Sequence, residues 1–324
     1  MPDSNTETPA LADLYSRHSS KWRRFNADVL PMHVAEMDFA IAEPVRELIA
    51  RMAHESDLGY LGPVPEVARA FEGFARDRWG WQIHKAELKI ATDVGVATVE
   101  YLRANLEPGA RVIVNSPVYS GFYEWLKELR IEPVDVPLAH TEAGWRLDLD
   151  GLERAFKAGH LTLLLCNPHN PLARVWRREE LERLGEFCLR HDLVLCSDEI
   201  HCDLILDPAL RHVPSATLSP ELAARTITLM APSKTYNVPG LGTSLAIIPD
   251  AGLRARFNRA AAGIVAEVTC LGFTACEAAY RDGEPWRQEL LAYLRGNRDY
   301  LLDALPRALP GLKLEAPVEA TYLL

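Results

Sequence analysis

The sequence has no apolar run long enough to cross a bilayer. A helical span takes roughly 20 residues, whereas the longest clean stretch here, Leu161–Cys166, is only a strand's length. The amino terminus, MPDSNTETPALADLYSRHSSKWRRF, is polar and lacks the apolar segment of a secretion signal. Basic residues are not in excess: 35 Lys and Arg stand against 45 Asp and Glu, a net charge of −10. That balance argues against duplex nucleic acid or an anionic membrane as the main partner. Cysteine pairs are missing too. The six cysteines, at 166, 188, 196, 202, 270 and 276, include no CxxC spacing, so neither a disulfide scaffold nor a zinc or redox cluster is expected. Cys166 and Cys196 fall inside apolar runs, where cysteine acts as a small core residue. A reducing compartment, the cytoplasm, fits this usage.

What is present is the material of a large soluble fold. Over 324 residues, 48% are apolar and 25% charged, enough for two domains or one large domain with an appendage. Short apolar runs at Leu88–Thr92, Arg111–Asn115, Ile131–Val136, Leu161–Cys166, Leu193–Ser197, Thr226–Met230 and Ser244–Ile248 read as strands buried on both faces. Helical patterns separate them. Val64, Val67, Ala68, Phe71, Phe74 and Ala75 share one face of 64–79, and Leu181, Leu184, Phe187 and Cys188 one face of 177–191. The alternation predicts an α/β fold, a mostly parallel seven-stranded sheet flanked by helices with right-handed crossovers. Residues before 41 read as an arm. After about 250 the pattern is helical, over Leu253–Ala279 and Trp286–Leu305, until Pro306, Pro310 and Gly311 break it. Leu312–Leu324 reads as an extended piece that stops in mid-strand.

Ligands of such sheets bind beyond the carboxyl ends of the strands, and five segments there could carry chemistry. Lys234, in Ser233-Lys234-Thr-Tyr-Asn, follows an apolar strand; a partly desolvated amine there is a nucleophile, although a surface lysine is the plain alternative. Asp198, in Ser197-Asp198-Glu-Ile-His201, could hold a protonated ring nitrogen or merely cap a helix. Asn167-Pro-His-Asn170-Pro projects two amides into the same crevice, or is an ordinary proline turn. Gly95 and Val96 open a helix after a strand, a seat for phosphate. Tyr119 supplies an aromatic ring after another strand.

A lysine, a carboxylate, an amide, a ring and a phosphate seat suit a phosphorylated pyridine aldehyde. With Leu30-Pro-Met-His-Val-Ala-Glu-Met-Asp-Phe-Ala40, these motifs resemble a fold-type I pyridoxal-phosphate enzyme of the class I/II aminotransferase superfamily. The likeness runs from about Leu30 onward and is greatest to the PatB/MalY-like cystathionine β-lyase branch, which often has a histidine at the position of His201. The resemblance implies that Lys234 binds the aldehyde of pyridoxal 5'-phosphate and moves the Cα proton, and that Asp198 pairs with the pyridine N–H. It places Asn170 on the phenolic oxygen, Tyr119 against the ring face, and Gly95, Val96 and Ser233 at the phosphate. Tyr60 matches a tyrosine that reaches the phosphate of a neighbouring subunit, which implies a homodimer. It further implies residues 1–40 as an arm belonging to a small domain, 41–280 as the large cofactor-binding domain, and 281–324 as the start of an incomplete small α/β domain.

Two departures stand out. Leu172-Ala173 replaces the usual Thr-Gly, so the turn is expected to avoid the left-handed conformation that glycine permits. The family's arginine for the substrate carboxylate lies in a segment beyond Glu319-Ala-Thr-Tyr322 that this sequence does not contain, which reads as a truncation; Arg23 and Arg24 of the arm are the nearest substitutes. The expected activity is a carbon–sulfur β-lyase on a small-molecule cysteine S-conjugate. An aminotransferase and a catalytically weak, cofactor-holding regulatory protein are the other readings.

Overall fold

The computed structural model describes residues 8–62, 65–142, 144–156, 160–262, 265–314 and 317–321. Nine strands are present among them: β1 Leu88–Ala91, β2 Arg111–Val114, β3 Glu132–Asp135, β4 Ala139–Thr141, β5 Gly144–Arg146, β6 His160–Cys166, β7 Val194–Asp198, β8 Thr226–Met230 and β9 Ser244–Ile247. Seven form one sheet in the order β1-β9-β8-β7-β6-β2-β3, and β4 and β5 make a separate antiparallel hairpin. Strands β8, β7, β6, β2 and β3 run parallel, while β9 is antiparallel to both β8 and β1. The seven expected strands are therefore the seven of the sheet, and the α/β expectation holds.

Alternate residues of the central strands serve two cores, the period-two consequence of the pleat. On β6, Leu164 and Cys166 pack with helices Val94–Asn105 and Gly121–Glu128, while Leu163 and Leu165 pack with helix Arg178–Arg190. Helix Glu66–Trp79 buries Val67, Phe71 and Phe74 against helix Cys270–Asp282; Val64, expected on that face, lies outside the described residues. Local chemistry starts the helices. Asp93, Asp250 and Thr269 each accept a backbone N–H of the first turn, at 2.6, 2.7 and 3.1 Å.

The carboxyl-terminal third departs from the expected pattern. The stretch read as one helix over Leu253–Ala279 is two, Ala251–Ala261 and Cys270–Asp282. Pro306 does not end the last helix, which spans Glu284–Ala308. A proline in the final turn forfeits one hydrogen bond only, and the Leu309 N–H still reaches the Leu305 carbonyl at 2.8 Å. Residues 312–314 form no strand, Ala320 makes a single bridge to Ile205, and 322–324 lie outside the described residues. The amino-terminal arm holds two short helices, Leu11–Ser16 and Ser20–Arg23. Asp38 anchors it, accepting from Lys21 Nζ at 2.8 Å and Trp22 Nε1 at 2.9 Å. The Asn237 side chain fastens it to the sheet through the Met37 backbone.

Candidate active site

The register gathers the proposed residues on one edge. Cys166 of β6 pairs with Asp198 of β7, which pairs with Leu229 of β8, so three adjacent strands reach their carboxyl ends at one level. Two antiparallel steps return β1 to the direction of β8, which brings the Thr92–Gly95 turn to the same edge. Beyond β8 the chain enters the short helix Pro232–Thr235, which carries Ser233 and Lys234. Thr235 is buried and donates to Asp203 Oδ2 at 3.3 Å, and the Val238 N–H returns to the Ser233 carbonyl at 2.9 Å. Lys234 is thereby fixed from both sides.

Lys234 sits in a carboxylate field. Loss of water holds its amine below the ordinary lysine value, while Asp93, Asp198 and Glu36 pull the other way. Asp198 is buried, and the hydrogen bond found to its carboxylate among the described residues is the Ile200 N–H on Oδ1, at 3.1 Å. Burial pushes it up to about 7; Asp93 and Glu199 add to the rise, and the Ile200 hydrogen bond and Lys234 oppose it. His201, one turn on, is also buried, and burial with the nearby Lys234 pushes it down to about 3, so it is neutral.

Tyr119 is half-exposed, its ring edge-on to Phe122 at 6.2 Å and Trp125 at 5.9 Å. Burial, then the charges of Asp198 and Asp93, raise its phenol. The Asn170 N–H contacts Cys166 Sγ at 3.3 Å, and His169 Nε2 meets the Pro117 carbonyl at 2.8 Å. His169 therefore ties the loop of Asn170 to the loop of Tyr119. Burial pushes it down to about 4, which leaves a neutral ring with Nε2 as donor.

Three expectations need correction. The Gly95 N–H is not open: Asp93 Oδ1 accepts it at 2.6 Å. What demands glycine there is space, since a Cβ would lie 2.6 Å from Trp125 Cζ2. Ala173 does not avoid the left-handed region; its φ is +52°. Two backbone N–H groups, from Glu319 and Ala320, converge on its carbonyl, and these bonds compensate for a conformation alanine disfavours by about 1 kcal/mol. The arm's cation at the site is Lys21, not Arg23 or Arg24. Lys21 and Lys234 both line a cavity of about 560 Å³ walled by residues 31–39 and by Tyr293 and Asn297, whereas Arg23 donates to the Arg17 carbonyl and Arg24 lies over Phe25.

Tyr60 stands apart, its side chain fully exposed. No hydrogen bond or ring contact joins it to the cluster among the described residues, and it is not the core tyrosine its aromatic bulk alone would suggest. Sequence reasoning missed Asp93 and Glu36. Thr-Asp-Val-Gly ahead of a helix is a capping signal that could have exposed Asp93; nothing local marks Glu36, which the arm's fold delivers. No group of three or more metal-ligating side chains occurs among the described residues, and no described helix is long and apolar enough to cross a membrane.

The residues present fit a phosphorylated pyridine aldehyde. Lys234 offers a desolvated amine, Asp198 a buried carboxylate with hydrogen-bonding capacity to spare, Tyr119 a ring beside it, and the helix Val94–Asn105 its amino-terminal dipole. Comparison with known proteins agrees. The aminotransferase class I and II family matches residues 31–324, and the chain belongs to that family. Within it the chain falls in the PatB/MalY-like cystathionine β-lyase branch. It is 36% identical to cystathionine β-lyase PatB of Bacillus subtilis over 299 residues, 92% of this chain and 77% of the relative. The crystal structure of OvoB superposes with a TM-score of 0.91 at 37% identity, covering 98% of this chain and 83% of that one. Cystalysin from Treponema denticola, whose structure contains pyridoxal 5'-phosphate, gives a TM-score of 0.91 at 30% identity, with 99% and 83% covered.

Proposed function

We propose that the chain is a pyridoxal-phosphate-dependent carbon–sulfur β-lyase, cleaving cystathionine or another cysteine S-conjugate to a thiol, pyruvate and ammonia. The observation that carries this reading is the approach of a desolvated lysine and a buried carboxylate at the ends of neighbouring strands β8 and β7, in a chain whose relatives include proteins named for this reaction. Bound there, pyridoxal phosphate supplies an aldehyde for amines and an electron-poor ring that accepts the electron pair left on Cα.

The chain's own residues do the rest. Lys234 Nζ, largely shielded from water, would hold the aldehyde and move the proton at the substrate Cα; burial lowers its proton affinity, which eases release of a proton against the pull of Asp93, Asp198 and Glu36. Asp198 would hold a proton on the pyridine nitrogen. Asn170 would meet the phenolic oxygen and Tyr119 a ring face. Ser233, Gly95 and Val96 would hold the phosphate, with neutral His201 near Lys234. Tyr60, fully exposed, would complete the phosphate site of a partner in a homodimer.

The test is pyruvate release from cystathionine by purified protein without any keto acid, with Lys234→Ala as control. Pyruvate formation that depends on Lys234 supports the lyase. Turnover only when a keto-acid acceptor is supplied would establish the aminotransferase reading, which the wider family also accommodates and which uses the same residues.

A further inference from the structure

Behind Asp198 lies a second pair of ionisable groups. Side chains alternate along β7, so Ser197 faces away from Asp198, and its Oγ donates to Glu199 Oε1 at 2.8 Å. The Glu199 carboxylate is wholly buried. Its Oε1 also accepts the Ser215 N–H at 3.0 Å, and its Oε2 meets His212 Nε2 at 2.6 Å. His212 is buried too, edge-on to Trp79 at 5.8 Å, and its Nδ1 has no hydrogen-bond partner among the described residues. With Nδ1 unpaired, Nε2 is the His212 atom that holds Glu199.

The backbone links this pair to Asp198. The Glu199 N–H donates to the Leu229 carbonyl at 2.8 Å and the Asn167 N–H to the Asp198 carbonyl at 2.9 Å. The Ile200 N–H holds Asp198 Oδ1. Glu199 lies between Asp198 and Ile200, so the bonds that hold its side chain also restrain the backbone that carries the Asp198 carboxylate.

We propose that Glu199 and His212 are positioning residues for Asp198. They clamp the end of β7 from the far face, which holds the Asp198 carboxylate aimed at the protonated ring nitrogen. This rests on the cofactor reading above. On the near face Asp93 and Lys234 act on Asp198 with opposite signs; Glu199 reinforces Asp93 and favours a proton between carboxylate and ring.

Titration of pyridoxal phosphate into cofactor-free protein, followed by absorbance, tests the proposal. The variants are Glu199→Gln, His212→Phe, which keeps a ring on Trp79 but loses the donor, and His212→Gln, which keeps the donor. Each is made with and without Asp198→Asn. Glu199→Gln and His212→Phe should weaken cofactor affinity about fivefold when Asp198 is present, on the scale of one ordinary hydrogen bond, and have no effect beside Asp198→Asn. His212→Gln should stay within about twofold of the parent. Equal weakening in both backgrounds, or a His212→Gln defect as large as that of His212→Phe, would show that the pair supports only the fold. Should Glu199→Gln fail to fold, the two His212 variants decide. Borohydride reduction separates the two levels: no cofactor adduct on Lys234 removes the lyase reading and this inference together, whereas an adduct with additive effects removes this inference alone.

Discussion

Asp198 makes the cofactor-free protein sensitive to pH in an unusual direction. In the fold its carboxyl is pushed from 3.8 up to about 7, chiefly by burial. At 1.36 kcal/mol per tenfold in proton affinity, that rise corresponds to about 4 kcal/mol of preference for the protonated form, and to about 2–4 kcal/mol after local relaxation. The folded state binds the proton more tightly than the unfolded chain, so stability from this group falls as pH rises. Below about pH 4 both states are protonated and the effect is nil; above about pH 7 it is complete. Asp198→Asn keeps the shape and cannot ionise. In protein freed of cofactor, the stability of the variant relative to the parent should therefore climb by about 2–4 kcal/mol between pH 4 and pH 8. With pyridoxal phosphate bound the order should reverse, because the charged carboxylate then has the ring N–H as partner. Denaturant and thermal melts at both pH values, with and without cofactor, make the measurement. A stability difference that stays flat across pH 4–8 in the cofactor-free proteins would refute the account of Asp198 as a carboxylate buried in wait for a cation.

Other consequences can be checked separately. Borohydride reduction with pyridoxal phosphate, followed by peptide mapping, should place the adduct on Lys234, and an adduct elsewhere would contradict its assignment. Mixing inactive Lys234→Ala protein with inactive Tyr60→Phe protein should restore activity once subunits exchange, since one site of each heterodimer then carries neither change; proven exchange without recovery would exclude shared sites. Glu319→Ala should cost about 3 kcal/mol by chemical denaturation, because the nearly buried carboxylate pairs with Arg174 at 3.0 Å and with Arg177. A loss below 1 kcal/mol would show that water replaces it.

The sheet was readable in advance because its central strands are covered on both faces. Val112-Ile-Val114 and Leu163–Cys166 have no polar side to disguise them. The hairpin of β4 and β5 was not, since three-residue strands of largely exposed side chains such as His140 and Arg146 carry no apolar pattern. Lys234, Asp198, Asn170 and Tyr119 stood out by following strands. Asp93 read as part of a glycine turn, and its nearness to Lys234 depends on two antiparallel steps through β9 that periodicity does not reveal. Ala173 was misjudged because residue type forecasts a backbone region only until tertiary hydrogen bonds outweigh it. The partnership of Glu199 with His212 spans 13 residues and leaves no mark in local composition.

The fastening of Ala173 has a bearing on how the protein is made. The loop that presents Asn170 is tied down by Glu319 and Ala320, and the segment after Lys234 by Met37 and Phe39, contacts 145 and about 200 residues apart in the chain. While the ribosome is still translating the last helix, Arg174 has Trp145 and Glu180 but not Glu319, and the Ala173 carbonyl lacks the Glu319 and Ala320 N–H groups. Such distant closures come late in folding. The parallel sheet can assemble on the nascent chain, but the cofactor pocket takes its final shape only after residue 320 has left the exit tunnel.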